Sequence, residues 1–270
     1  MVLDAHIHIW HGAVDQAQLL EQMHQVGIDG GNLFSQSPAF HSGALQAGSP
    51  QARLANLMAW CADTKVLRPF FWVDPVEPDA ENQVKMAVDA GVAGFKVICD
   101  HFYPGDERAM RTFRLITALE KPIMFHSGIL FDGKPTSQFS RPTNFEVMLD
   151  IPGVRFSLAH ISWPWVDECI AVYGKFASAR RSGSTAEMFI DTTPGTPRIF
   201  RRDALTKVFT VGYDVAQNVI FGSDCTAGRY NAQYAKMWVE RDRDILQELE
   251  LDGDTIENVF SANLRRFVGF

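Results

Sequence analysis

The chain has 270 residues, 46% of them hydrophobic and 21% charged, which is ample apolar material for a large core in an ordinary water-exposed protein. A net charge of -7, with no Lys/Arg block or aromatic-basic repeat, argues against a nucleic-acid partner, which needs a basic surface. No apolar run is long enough to span a membrane, so no membrane partner is expected either.

Read in chain order, short apolar or β-branched runs alternate with amphipathic stretches. The first strand is 2–10, followed by a helix over 14–26 with Leu19, Leu20 and Met23 at helical spacing and Gly27 just past its end. A second strand, 28–35, leads into a long connection, 36–50. Strands follow at 66–73 and 92–99, separated by a helix over 81–90 that carries Val84 and Val88 and closes on Gly91. A helix over 107–119 presents Met110, Phe113, Ile116 and Leu119 before a fifth strand, 122–127, and a second long connection, 128–143. Strands at 154–161, 187–192 and 219–223 complete the set, with helices over 204–216, 233–251 and 254–261. The spacing is roughly thirty residues, the size of one βα unit. Eight units predict an α/β fold, a closed (β/α)8 TIM barrel forming a single domain over 1–270, in preference to an open doubly wound sheet. Both long connections leave the C-terminal ends of strands, where barrel active sites lie, and carry aromatic residues (Phe40; Phe131 and Phe139) as a substrate-covering loop would.

The chemistry begins in Asp4-Ala5-His6-Ile7-His8. Period-2 alternation puts His6 and His8 on one face, opposite Ala5, Ile7 and Ile9. A lone H-x-H is commonly just a pair of half-buried polar residues. Here, however, His126 closes strand five (P-I-M-F-H-S-G), His160 closes strand six and Asp224 closes strand eight (F-G-S-D-C). Each ends an apolar run, where a buried imidazole or carboxylate without a partner is costly. In a closed barrel these strand ends meet at one mouth, as an N/O donor set suited to zinc, or to iron, manganese or cobalt.

With D-A-H-I-H-I-W, G-V-A-G-F-K-V, A-H-I-S-W-P-W, F-G-S-D and the closing I-E-N-V-F-S-A-N-L-R-R-F, this order resembles the amidohydrolase superfamily. The likeness is to its amidohydrolase 2 branch, which includes aminocarboxymuconate-semialdehyde decarboxylase, and it spans the whole chain. It departs at Cys225-Thr226, where many relatives carry proline after the aspartate, and at Ser162-Trp163, where a glycine pair is usual. The resemblance implies a single divalent ion held by His6, His8, His126 and Asp224. It also implies that His160 orients the water or polarises the substrate, and that Asp224 carries the proton. Asp4 is either a group orienting a ligand histidine or simply a strand residue. Lys96, on strand four, has three readings: a carbamylated lysine bridging two metals, as in some superfamily members; a substrate-anion binder; or a lysine paired with an acidic neighbour.

Around the mouth, Trp163 and Trp165 follow His160, and Phe102 and Tyr103 follow strand four; these rings either stack on a planar substrate or pack loops. Arg141, Arg198 and Arg229 each follow a strand C-terminus, and at least one is expected to grip a substrate carboxylate, with Lys96, Arg141, Trp163 and Arg229 forming the substrate-binding set. His41 and His101 read as bystanders, and His11 and His24 have no supporting context. Phosphate-binding, dinucleotide and nucleophile-elbow motifs are missing.

The leading expectation is hydrolysis of an amide, lactone or ester bond in a small carboxylated substrate. The alternative is non-oxidative decarboxylation of an aromatic or unsaturated carboxylate. A non-catalytic barrel would predict a broken ligand set, yet all five positions are filled. Cys61, Cys99, Cys169 and Cys225 form no C-x-x-C pair, and Asp4, His6 and His8 fall where a leader's apolar stretch would lie. A cytoplasmic protein with reduced thiols is therefore expected. The expected partner is a small molecule, and self-association into a homo-oligomer is compatible with the composition.

Overall fold

A computed structural model describes residues 1–10, 13–38 and 48–269. His11, Phe40 and His41, singled out above, lie outside the described residues, as does most of the 36–50 connection. Strands β1 (Leu3–His8), β2 (Gly30–Phe34), β3 (Leu67–Trp72), β4 (Gly94–Val97), β5 (Ile123–Phe125), β6 (Arg155–Leu158), β7 (Glu187–Asp191), β8 (Val219–Ile220) and β9 (Cys225–Thr226) form one sheet in the order β8-β7-β6-β5-β4-β3-β2-β1-β9. Every pairing is parallel. β8 and β9 are two pieces of one eighth strand: β8 pairs with β7, and β9 with β1. Between them Ala5 N donates to Phe221 O (2.9 Å) and Asp224 N to His6 O (3.0 Å). The sheet closes on itself as a barrel, which leaves it no edge.

In-register parallel pairing lets the inner face be read directly, because paired residues share a face. His8 is level with Phe34, Phe34 with Phe70, and Phe70 with Gly94. Lys96 is level with Met124, Met124 with Ser157, and Ser157 with Phe189. Phe34, Phe70, Met124, Phe189 and Ile220 pack inside the barrel against Leu264 and Phe267. Burying each such ring contributes roughly 2–3 kcal/mol. Ile7 and Ile9 face the larger cluster between barrel and helices, as expected. Ala5 does not: it packs with the interior group. The register of β1 on β2 shifts between Asp4 and Ile7, and such an extra residue moves what precedes it to the other face.

Helices follow the strands: α1 (Gln16–His24), α2 (Pro50–Trp60), α3 (Ala80–Asp89), α4 (Glu107–Ala118), α5 (Val166–Arg181), α6 (Arg201–Thr210), α7 (Ala232–Glu248), α8 (Gly253–Glu257) and α9 (Asn263–Val268). Two of them, α2 and α5, went unread in the sequence. Ser49 accepting from Ala52 N, with Pro50 in the first turn, is a start signal for α2; α5 opens on Asp167 and Glu168 and ends on Arg180 and Arg181. α3 buries Val84 and Ala87, leaving Val88 only half-buried. α6 stops at Thr210 instead of 216, just ahead of Gly212 at φ 97°. Buried Arg201 on α6 and Asp242 on α7 pair through two bonds, Nε–Oδ1 2.8 Å and Nη2–Oδ2 2.5 Å. Among the described residues no helix is long and apolar enough to cross a membrane. All four cysteines are buried and unbridged, and burial pushes the Cys61, Cys169 and Cys225 thiols up to about 12.

Candidate metal centre

His6 and His8 leave β1 at the barrel mouth, and the hydrogen bond from Asp224 N to His6 O sets the aspartate beside them. Asp224 sits at φ 61° and His160 at φ 64°, with Ile161 and Ser162 also left-handed. Such backbone is costly for a branched residue, on the order of 1–3 kcal/mol, and concentrates at functional sites. Gly222 permits the close approach of the strands here: a Cβ would stand 2.2 Å from Thr193 Oγ1 and 2.7 Å from His6 Cβ.

Asp224 Oδ1 lies 3.7 Å from His6 Nε2 and 3.4 Å from His8 Nε2. One ligand atom from each of the three lies within 4.8 Å of the others. Donors about 2.1 Å from a tetrahedral ion stand about 3.4 Å apart, so the spacing fits. The tautomer fits as well. His6 Nδ1 is 2.9 Å from Asp191 Oδ2; a carboxylate accepts, so Nδ1 carries the proton and Nε2 keeps its lone pair, which faces Lys96 Nζ at 3.3 Å. Burial, reinforced by the Lys96 charge, holds His6 well below the ordinary imidazole value, and a neutral imidazole is the form that binds metal. Burial alone would raise the Asp224 carboxyl. The hydrogen bond with His8 and the electrostatic interaction with the His6 and His160 rings outweigh it, and the group is held below the usual carboxylate range.

His126 follows β5, its N donating to Val97 O (2.9 Å), and His160 sits in the turn after β6. Their rings are 4.9 Å apart, and His160 is 5.4 Å from His6. His126 is buried, its Nε2 has no hydrogen-bond partner among the described residues, and neither does His160 Nδ1. His126 stands in the same cavity as His6, His8 and Asp224, though outside their group of mutually close donors. A buried imidazole nitrogen without a partner is costly unless something else satisfies it, and a metal ion or substrate would.

The cavity has a volume of about 360 Å³, with His6, His8, Lys96, His126, His160, Trp163 and Asp224 all in its lining. Lys96 is buried, its Nζ 4.9 Å from the Phe34 ring centre; burial lowers it to about 8, against the pull of Asp191 and Asp224. The predicted arginines are elsewhere. Arg141 binds Glu168 (2.8 Å) over Trp165, while Arg198 and Arg229 are exposed, and none lines the cavity. Loop direction, which strand order does not determine, turns each of them outward. Phe102 is buried, Tyr103 packs on Phe139, and neither lines the cavity. His101 lies between Asp100 and Asp74, also off the lining. The 128–143 connection does reach the site, through Ile129, Leu130, Phe131 and Asp132.

Asp4 does not orient a histidine ring. Its carboxylate accepts from His6 N (3.1 Å), Ser223 N (2.8 Å), Ser223 Oγ (2.5 Å) and Tyr230 Oη (2.9 Å), and so clamps β1 to the eighth strand. Burial pushes it up to about 6. The orienting carboxylate is Asp191, missed in the sequence although it closes the apolar run E-M-F-I-D as the other site residues close theirs. Thr193 N and Oγ1 hold it at 2.7 and 2.5 Å. Trp10 and Trp72, also missed, flank His8 at 5.2 and 5.9 Å. Asp191→Asn is expected to weaken divalent-metal affinity by about 10–100-fold with little loss of fold; competition against a chelating dye measures it, and unchanged affinity would refute the orienting role.

The probable 2-pyrone-4,6-dicarboxylic acid hydrolase of Acinetobacter baumannii, solved with citric acid bound, shares the fold at TM-score 0.64 and 13% identity, covering 100% of this chain and 99% of that one. The 4-oxalomesaconate hydratase of Rhodopseudomonas palustris matches at TM-score 0.64 and 14% identity, over 100% and 96%. A dihydroorotase of Campylobacter jejuni matches at 0.60 and 14%, over 100% and 83%. No curated protein sequence matches this one. The amidohydrolase family model matches residues 3–270, the whole barrel with every residue of the site, and the chain belongs to that family.

Proposed function

We propose that the protein is a metal-dependent hydrolase that cleaves an amide, lactone or ester bond in a small substrate carrying a carboxylate. It would use one divalent ion, zinc in the first instance and manganese, iron or cobalt as alternatives. The observation that carries this reading is the convergence of His6 Nε2, His8 Nε2 and Asp224 Oδ1, with the His6 tautomer set by Asp191. His6, His8 and Asp224 would hold the ion, and His126 would complete the set with its unpartnered Nε2. When bound, such an ion acidifies water and polarises a carbonyl oxygen.

The chain's own residues supply the rest. Asp224, ionised and partly open to the cavity, takes a proton from the attacking water and returns it to the leaving alkoxide or amine, so that water is consumed and no proton is left over. His160, neutral and in the cavity lining, would orient the attacking water or polarise a substrate oxygen. Lys96 is the cation that would meet the carboxylate, and Trp163 would cover a planar group.

Metal analysis and product analysis test the reading. The protein is expected to bind about one equivalent of zinc, to lose activity on chelation and regain it on reconstitution, and to incorporate solvent oxygen when given lactones, esters and amides. Release of carbon dioxide from an aromatic or unsaturated carboxylate, without water uptake, would instead make it a decarboxylase.

A further inference from the structure

The cavity lining divides into two chemistries. It holds the imidazoles of His6, His8, His126 and His160 together with Asp224, whereas Trp10, Trp72, Ile129, Leu130, Phe131 and Trp163 supply carbon. Trp10 lies nearly parallel to His8 (20°) and edge-on to Trp72 at 6.2 Å. Trp163 is braced by stacking on Phe200 at 5.0 Å. Phe131 is 85% exposed at the rim, an apolar ring left in water beside a cavity that a ligand would cover.

Charge points the same way. Among the described residues the lining holds one ammonium, Lys96, and no arginine, against the carboxylates of Asp224 and Asp132. Residues 11–12, 39–47 and 270 contain neither lysine nor arginine, so they add no further ammonium or guanidinium. Asp132 is fixed in place: it accepts from Lys134 N (3.0 Å) and Thr136 Oγ1 (2.8 Å). A second or third substrate carboxylate would therefore find no further lysine or arginine among the described lining residues and would face carbon or Asp132.

The geometry points to a flat, mainly apolar substrate with at most one carboxylate: an aryl- or alkyl-substituted lactone, ester or amide. Its reacting carbonyl faces Asp224, while its ring or chain lies among Trp10, Trp72 and Trp163 beneath Phe131. This rests on the hydrolase reading and revises its substrate, for which a carboxylate on Lys96 becomes optional and the apolar ring or chain essential; Trp163 and Phe131 become the residues that set specificity.

Calorimetric binding to the metal-free full chain separates charge from shape, with dihydrocoumarin as a neutral aryl lactone and trimesate as a flat aromatic tricarboxylate. Dihydrocoumarin is expected to bind at least about tenfold more tightly than trimesate. Trp163→Ala and Phe131→Ala are each expected to weaken it about threefold or more with Tm unchanged. Equal or tighter binding of trimesate overturns the assignment, as does failure of both compounds to bind or indifference to both substitutions. If dihydrocoumarin binds but the zinc-loaded enzyme leaves it intact, the hydrolase reading falls for this compound class while the assignment of the cavity stands.

Discussion

Asp224→Asn is expected to lower kcat/KM on a hydrolysed lactone by about a thousand-fold or more, roughly 4 kcal/mol of barrier. The change removes one formal charge and little volume. It also suits the backbone, since asparagine tolerates the left-handed conformation at φ 61° as well as aspartate does. The bond from residue 224 N to His6 O involves only main chain and survives. What is lost is the negative charge of the group whose Oδ1 lies 3.4 Å from His8 Nε2 and 3.7 Å from His6 Nε2, and with it the base proposed to accept the water proton. Zinc content should fall along with activity, while Tm measured without metal should hardly move. A variant that keeps more than about a tenth of the activity would sink the assignment of Asp224 as proton carrier.

Asp242→Ala is expected to give the largest loss of stability, about 3–5 kcal/mol in urea unfolding. Arg201 is fully buried, fixed by two bonds to Asp242 and stacked 5.0 Å from the centre of Trp238. Without the carboxylate, its charge has no partner in the interior. The pair ties α6 to α7, the helices that follow the strands bearing Asp191 and Asp224, so the damage should reach the site. If the cause is the stranded charge, replacing both partners with apolar residues (Arg201→Met with Asp242→Leu) should recover most of the loss. A loss below about 1 kcal/mol for Asp242→Ala would show that the pair contributes little.

The strands and the donor set were legible because both depend on local pattern. Apolar runs of strand length, each closed by a polar residue, marked His6, His8, His126, His160 and Asp224, and the structure brings all five to one cavity. Asp191 carried the same signal and was passed over, because a carboxylate that holds a histidine looks no different in sequence from any other strand-end acid.

Other features had no local signature. The side on which Ala5 falls depends on a register shift against a neighbouring strand. Asp4 and Ser223 stand 219 residues apart and meet only when the barrel closes. At least one of the three arginines was expected to bind a substrate carboxylate because each follows a strand end, yet all three are exposed and off the cavity lining, which holds Lys96.

The sequence by itself determined the barrel, its family likeness and the atoms able to hold an ion, since alternation and strand-end chemistry are short-range properties. The tertiary structure alone decided which charges reach the cavity and which rings wall it, because loop direction and strand register come from packing between distant segments.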